Sequence, residues 1–119
     1  KNEPWRSFTT SSLDTLTVTS ASVKDTSFFG YSKCVTINNH LEMAPIEYVL
    51  AKSGSSYSFV KSQNLTTDHK LIKHDKSEID ITSVKVTSGS MTNFYALDIE
   101  GQDTYFVSES LFIGQHWLP

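Results

Sequence analysis

The stretch from Phe28 to Ile37 has the sequence FFGYSKCVTI, which combines aromatic and β-branched residues and contains one charged side chain. Residues of these kinds are enriched in strands, and a nearly continuous apolar run of this length is typical of a strand covered on both faces. We therefore predict a central strand here. A shorter apolar run from Ser110 to Ile113 predicts a second strand of the same kind.

Three further segments alternate between apolar and more polar positions, which is the period of a strand with one wetter face. These segments are Leu16–Ala21, Ile46–Ala51 and Tyr95–Glu100. Long stripes with helical spacing are absent from the sequence, and helix-forming Ala is scarce. The sequence therefore predicts an all-β domain of about eight or nine short strands.

Turn-forming residues separate these segments at short intervals. The predicted hairpins or loops are Ser53–Ser56, Asp75–Ser77, Ser88–Ser90 and Gly101–Asp103. Between Ile79 and Val86 the apolar phase slips by one residue. Because such a slip would turn the strand inside out, we predict a β-bulge or a sharp bend at Thr82-Ser83.

The composition limits the classes of function. The chain has 119 residues, 38% of them hydrophobic and only 19% charged, and its 18 Ser and 13 Thr make it rich in hydroxyls. A net charge of -3 does not supply the basic surface that a phosphate backbone requires, so nucleic-acid binding is not expected. No apolar run approaches the roughly 20 residues of a membrane span, so membrane insertion is not expected either.

We divide the chain into an N-terminal arm, residues 1–12, and a single β domain, residues 13–119. Trp5 and Phe8 stand among polar residues without a clear period. This arm is expected to be mobile or to be docked by Trp5.

Motifs for metal, cofactor or phosphate chemistry are lacking in the sequence. No two histidines have the spacing of a recognised metal site, so neither a metal nor a cofactor is predicted; they are His40, His69, His74 and His116. The single cysteine, Cys34, cannot form an internal disulfide and is expected to be a small, half-buried residue. Asn64-Leu65-Thr66 matches the glycosylation acceptor pattern, but about one such match is expected by chance in this composition.

Three blocks carry a resemblance to a known family. They are VTINNHLEMAPIEYVL at Val35–Leu50, YSFVKSQNL at Tyr57–Leu65, and FYALDIEGQDTYFV at Phe94–Val107 followed by LFIGQH at Leu111–His116. In this order they resemble the Hint family, the β module shared by inteins and hedgehog autoprocessing domains.

Each block is similar to one part of that family's sequence. The first block is similar to the family's strand, Thr-Pro-x-His block and apolar strand. The second is similar to a strand ending in an Ala-x-x-Leu step, and the third is similar to the terminal segment with its His-Asn pair. The resemblance covers about residues 29–117 and implies a compact, intertwined Hint-like β fold.

The resemblance also implies which residues self-cleavage would need. In that family a Cys or Ser at the start of the module attacks the preceding carbonyl, and the Thr and His of the first block polarise the bond and hold the oxyanion. A terminal His then assists the cyclisation of an Asn. The matching positions in this chain are Ala44, Glu47, His116 and Trp117, and the starting nucleophile has no counterpart before Trp5.

Three of these four positions lack the required chemistry. Ala44 has no hydroxyl, Glu47 is expected to be an anion at neutral pH, and the indole of Trp117 cannot cyclise. We therefore predict a non-catalytic structural or assembly module, not an enzyme, resembling the inactive Hint-like domains of phage tail and baseplate proteins. Its expected partners are other protein subunits, and its expected location is the virion tail.

Two other functions stay open at this stage. Exposed aromatic residues could form a platform for a glycan or a host surface, as in a stand-alone binding module. The candidates for that platform are Trp5, Tyr31, Tyr57 and Trp117. Alternatively, the chain could still cleave one bond by an unusual route that uses His116 with Ser110 or Cys34.

Overall fold

A computed structural model of the protein describes residues 9–14, 23–73, 75–99, 104–107 and 111–114. These residues form ten strands and one 3-10 turn, at Ser62–Asn64, and no α-helix. The all-β prediction is therefore confirmed. The strands are β1 Thr9–Thr10, β2 Val23–Ile37, β3 Leu41–Met43, β4 Tyr48–Ser53, β5 Ser56–Lys61, β6 Lys70–Ile72, β7 Glu78–Asp80, β8 Val84–Ile99, β9 Thr104–Val107 and β10 Leu111–Gly114.

The strands form two antiparallel sheets. The larger sheet has the order β1-β5-β4-β10-β9, and β6 pairs with β4 and with β7. The smaller sheet has the order β3-β2-β8. As predicted, the strand containing Phe28–Ile37 is central in its sheet, and the strand formed from the apolar run near Ile113 lies between two neighbours. Two strands are longer than predicted, since β2 has 15 residues and β8 has 16.

The main core joins the two sheets. Val35 and Ile37 of β2 are fully buried, and their cluster includes Val49 and Ala51 of β4. Burying a side chain of this size stabilises the fold by roughly 1.5–3 kcal/mol. Other members of the cluster are Leu41, Met43, Leu65, Leu71 and Ile81.

Strand β4 is buried on both faces, contrary to the prediction of one wetter face for Ile46–Ala51. Val49 and Ala51 contribute to the main core, while Leu50, pointing the other way, packs in a second cluster with Leu13 and Ile72. The second face is covered because residues 9–14 pack against the larger sheet. There β1 pairs with β5, and Leu13 is buried just after it.

Two predicted hairpin turns are confirmed. Between β4 and β5, Gly54 has φ +62°, as the first central residue of a tight two-residue turn requires. Between β6 and β7, Lys76 has φ +71°, and Asp75 Oδ1 accepts a hydrogen bond from the Ser77 amide at 3.0 Å. The segments Leu16–Ala21 and Gly101–Asp103 lie outside the described residues, whereas the strand predicted from Tyr95 is confirmed as part of β8.

The loop predicted at Ser88–Ser90 is wrong, because β8 continues through these residues. Ser88 pairs with Lys33 and Thr92 pairs with Tyr31, so three residues of β8 lie opposite one residue of β2. The extra residues form an irregularity of the β-bulge type, and Gly89 has φ +150° within it. Glycine and serine therefore mark a bulge here and not a chain reversal.

The predicted bend at Thr82-Ser83 takes the form of a crossing between the sheets. Strand β7 ends at Asp80 in the larger sheet, and β8 begins at Val84 in the smaller one. The side chain of Asn38 holds the crossing: Nδ2 donates to the Asp80 carbonyl at 3.0 Å, and Oδ1 accepts from the Thr82 amide at 2.7 Å. Asn38 itself has φ +54°, a conformation that Asn tolerates better than most residues.

We expect Asn38→Ala to lower the free energy of unfolding by about 1–2 kcal/mol, because it removes these two hydrogen bonds to exposed backbone groups of the crossing. Urea unfolding followed by circular dichroism measures this change. Asn39→Ala is the matched control. Asn39 is exposed and has φ +65°, so its replacement carries the same backbone cost without the loss of the crossing. Equal losses in the two variants would contradict the assigned role of Asn38.

Candidate functional site

The loop from Ala44 to Glu47 connects β3 to β4 and holds the positions at which the resemblance places a Thr and a His. It is an interior loop. Ala44 has 0% of its surface exposed, Pro45 is fully buried, and Glu47 has 7% exposed. Substrate or solvent therefore has little access to these three residues in this conformation.

The 3-10 turn after β5 holds this loop in place. The Ala44 carbonyl accepts hydrogen bonds from Ser62 Oγ at 2.7 Å and from the Glu47 amide at 3.1 Å. The Ser62 amide donates to the Glu47 carbonyl at 2.8 Å, and the Gln63 amide donates to the Pro45 carbonyl at 3.3 Å. The carbonyl groups of the three buried loop residues, Ala44, Pro45 and Glu47, therefore all accept hydrogen bonds within the fold.

Ser62 is a contributor that the sequence analysis did not identify. It is fully buried, and it occupies the Ala position of the Ala-x-x-Leu step that ends with the buried Leu65. A serine at a position where the family has alanine adds one hydroxyl to the interior. That substitution was the signal in the sequence, because a buried hydroxyl needs a partner and the nearest loop provides one.

The carboxyl group of Glu47 is close to its titration point at neutral pH, which corrects the expectation that it is an anion. Burial raises the pKa of Glu47 from 4.5 to about 7, and a backbone hydrogen bond at Ala44 opposes part of that rise. The physical cause is loss of hydration, since a charged carboxylate is costly in the interior. The sequence did not reveal this because a loop glutamate is exposed in most proteins.

Cys34 lies half-buried on β2, the strand next to β3, and it is a free thiol. Burial raises the pKa of Cys34, and the negative charges of Glu42 and, to a smaller extent, Glu47 raise it further. Hydrogen bonds involving Thr36 and the backbone of Met43 oppose this rise. The thiol is therefore protonated at neutral pH, and a protonated thiol is a poor nucleophile.

The described histidines form hydrogen bonds within turns. His69 Nδ1 accepts from the Thr66 amide at 3.1 Å, and His40 Nδ1 lies 3.1 Å from the Asn38 carbonyl oxygen. Thr66 and His69 have the Thr-x-x-His spacing of the family's first block, but they follow the second block in the chain. His74, Ser110, His116 and Trp117 lie outside the described residues.

The candidate aromatic platform is not brought together by its described members. Tyr31 belongs to β2 in the smaller sheet and Tyr57 to β5 in the larger sheet, and both side chains are half-buried. Lys52 Nζ lies 5.5 Å from the centre of the Tyr57 ring, so a cation already occupies that face. Trp5 and Trp117 lie outside the described residues, so their part in a platform stays a prediction.

Within the described ranges, no three His, Cys, Asp or Glu side chains are grouped so that they could hold a metal ion. The same residues include no helix with the length and apolar character needed to cross a membrane.

Comparisons with known proteins support the fold. Neither a protein-family model nor a curated protein matches the chain. Among solved structures, the chain is similar to the solution structure of a bacterial intein-like domain from Clostridium thermocellum, with a TM-score of 0.73 and 15% sequence identity. The match covers 90% of this chain and 79% of that one. The predicted Hint-like, intein-like fold is therefore confirmed.

We expect the stability of the chain to fall as pH rises through the titration of Glu47. Because the folded chain binds this proton more tightly than the unfolded chain, the stabilisation is complete below the unfolded pKa of 4.5. It is then lost as pH rises through the folded pKa of about 7. The full change is on the order of 3 kcal/mol. Urea unfolding at a series of pH values measures it.

Glu47→Gln removes the titrating group and keeps a similar shape, so this part of the pH dependence should disappear. Glu42→Gln is the control, since Glu42 is exposed and its replacement should leave the dependence in place. The assignment to Glu47 would be refuted by an unchanged pH dependence in Glu47→Gln.

Proposed function

We propose that this chain is a non-catalytic structural module of a larger protein assembly, in which a Hint-like fold is retained without self-cleavage. The observation that supports this most strongly is the composition of the Ala44–Glu47 loop. Where the resemblance calls for a hydroxyl and an imidazole, the loop has a buried methyl group and a buried carboxyl group.

Acyl transfer requires hydrogen-bond donors directed at the developing oxyanion. Ala44 offers no side-chain donor. Glu47 in its ionised form would repel an oxyanion, and this form becomes more populated as pH rises above about 7. The Ser62 hydroxyl is already committed to the Ala44 carbonyl. The loop therefore has the hydrogen bonds of a fixed structural element and few of the groups that a reaction would need.

The setting we propose for the module is a virion, in the tail or baseplate of a phage. The support comes from the sequence: INNHL at Ile37–Leu41 and DTYFV at Asp103–Val107 resemble segments of inactive Hint-like domains in such proteins. A hydroxyl-rich surface with few charges also suits packing against neighbouring subunits through many modest hydrogen bonds. Other protein subunits are accordingly the proposed partners.

The test is whether the chain cleaves a bond at either end. We expect the chain, placed between two well-folded marker domains, to keep a single intact mass over days near neutral pH. Mass spectrometry of the purified protein, with protease inhibitors present, measures this.

Five variants identify any cleavage that does occur. Each removes one group that self-cleavage could use, and they are Cys34→Ala, Glu47→Gln, His69→Ala, Ser110→Ala and His116→Ala. Defined loss of a marker domain that one of these variants abolishes would contradict the proposal and establish residual self-cleavage instead.

A further inference from the structure

Strand β8 forms one edge of the smaller sheet. It pairs with β2 on its inner side, and in the described part of the chain no strand pairs with its outer side. From Lys85 to Ser88 every residue is exposed. An open edge of this kind presents unpaired backbone N–H and C=O groups, which is the template for strand addition.

Apolar side chains run in rows across the three strands and end at this edge. Val35 pairs with Met43 on one side and with Val86 on the other, and the exposed fractions are 0%, 2% and 52%. In the next row, Ile37 is fully buried and its partner Val84 is half-buried. Each row ends on the β3 side in a buried apolar residue, whereas among the described residues no strand supplies an apolar neighbour beyond β8.

On the opposite face, the row between these two carries charge. Thr36 pairs with Glu42 on one side and with Lys85 on the other, and both charged side chains are exposed. Two strand spacings separate Glu42 from Lys85, roughly 10 Å. Lys52 and Lys70 of the larger sheet pair with carboxylates, but no described carboxylate forms an ion pair with Lys85.

We propose that the outer edge of β8 at Val84–Ser88 binds an extended segment of a neighbouring protein subunit, in which one acidic residue stands between two apolar residues. The apolar residues complete the two rows that end at Val84 and Val86. The acidic residue lies opposite Lys85 on the other face. This inference rests on the proposed assembly function and specifies one surface that would serve it.

The alternation of apolar and charged side chains along β8 determines the order of apolar and acidic residues in the bound segment. Residues directly opposite each other on neighbouring strands lie on the same face, and opposite charges or apolar pairs there are favourable. Apolar, acidic, apolar is the same sequence in both directions, so the pattern fits a parallel or an antiparallel addition. The bulge at residues 89–91 limits the regular edge to the residues before it, so the recognised segment is short.

A second copy of this edge does not provide that pattern. The stretch Val84–Ser88 contains no acidic residue. If Lys85 of one copy lay opposite Lys85 of another, two like charges would face each other. If Val86 lay opposite Val86 in an antiparallel pair, Lys85 would lie opposite Thr87 and would have no acidic partner. Charge complementarity therefore favours a different protein segment as the occupant.

The test uses a synthetic peptide, Thr-Thr-Val-Glu-Val-Thr-Thr with blocked ends, and a second peptide in which Lys replaces Glu. We expect the Glu peptide to shift the amide NMR signals of Val84–Ser88 and to slow their hydrogen exchange. Lys85→Glu should weaken binding of the Glu peptide by about 3- to 10-fold and should favour the Lys peptide instead. Lys76→Glu is the control. It makes the same change of charge on an exposed turn and should leave the preference unchanged.

Three results would overturn the inference. They are equal binding of the two peptides, absence of signal shifts at the β8 edge with either peptide, and self-association of the chain through that edge. Each of these results differs from a failure of the proposed function, which would appear as cleavage of the bond that joins a marker domain to the chain. A chain that cleaves and still binds the Glu peptide would refute the non-catalytic proposal and leave the binding surface in place.

Discussion

Burial of β4 on both faces is the constraint on which the rest of the fold depends. This strand pairs with β5, β6 and β10, and its apolar residues pack on two separate clusters. Covering Leu50 requires Leu13 from the start of the chain, and covering Val49 requires Val35 from the smaller sheet. Because β4 begins directly after Glu47, the same packing also determines where the loop of the candidate site lies.

The sequence was informative wherever local chemistry decides the structure. Alternation and turn residues predicted the all-β class, the central strand at Phe28–Ile37 and the bend near Thr82. The sequence was misleading where contact with a distant segment decides the local structure. The burial of both faces of β4 depends on Leu13, and the bulge at Gly89 depends on its register with β2, and neither pairing is visible in a local pattern.

The candidate site shows the same division. The positions of Ala44 and Glu47 followed from the resemblance, but the charge state of Glu47 did not, because hydration is a property of the folded environment. Ser62 belongs to this environment as well. Its hydroxyl and amide join two segments that are far apart in the sequence, so the loop is fixed by its neighbours and not by its own residues.

The pairing of β2 with β8 has a topological consequence. Val23, at the start of β2, lies opposite Ile99, at the end of β8, so the chain enters and leaves this part of the fold at one place. Paired residues of an antiparallel ladder are about 5 Å apart. Leu13 precedes Val23 in the chain and β10 follows Ile99, so the two segments that complete the packing around β4 both connect to the β2–β8 pair at this one place. The two ends of this long pair of strands therefore act as a common anchor for segments from opposite ends of the sequence.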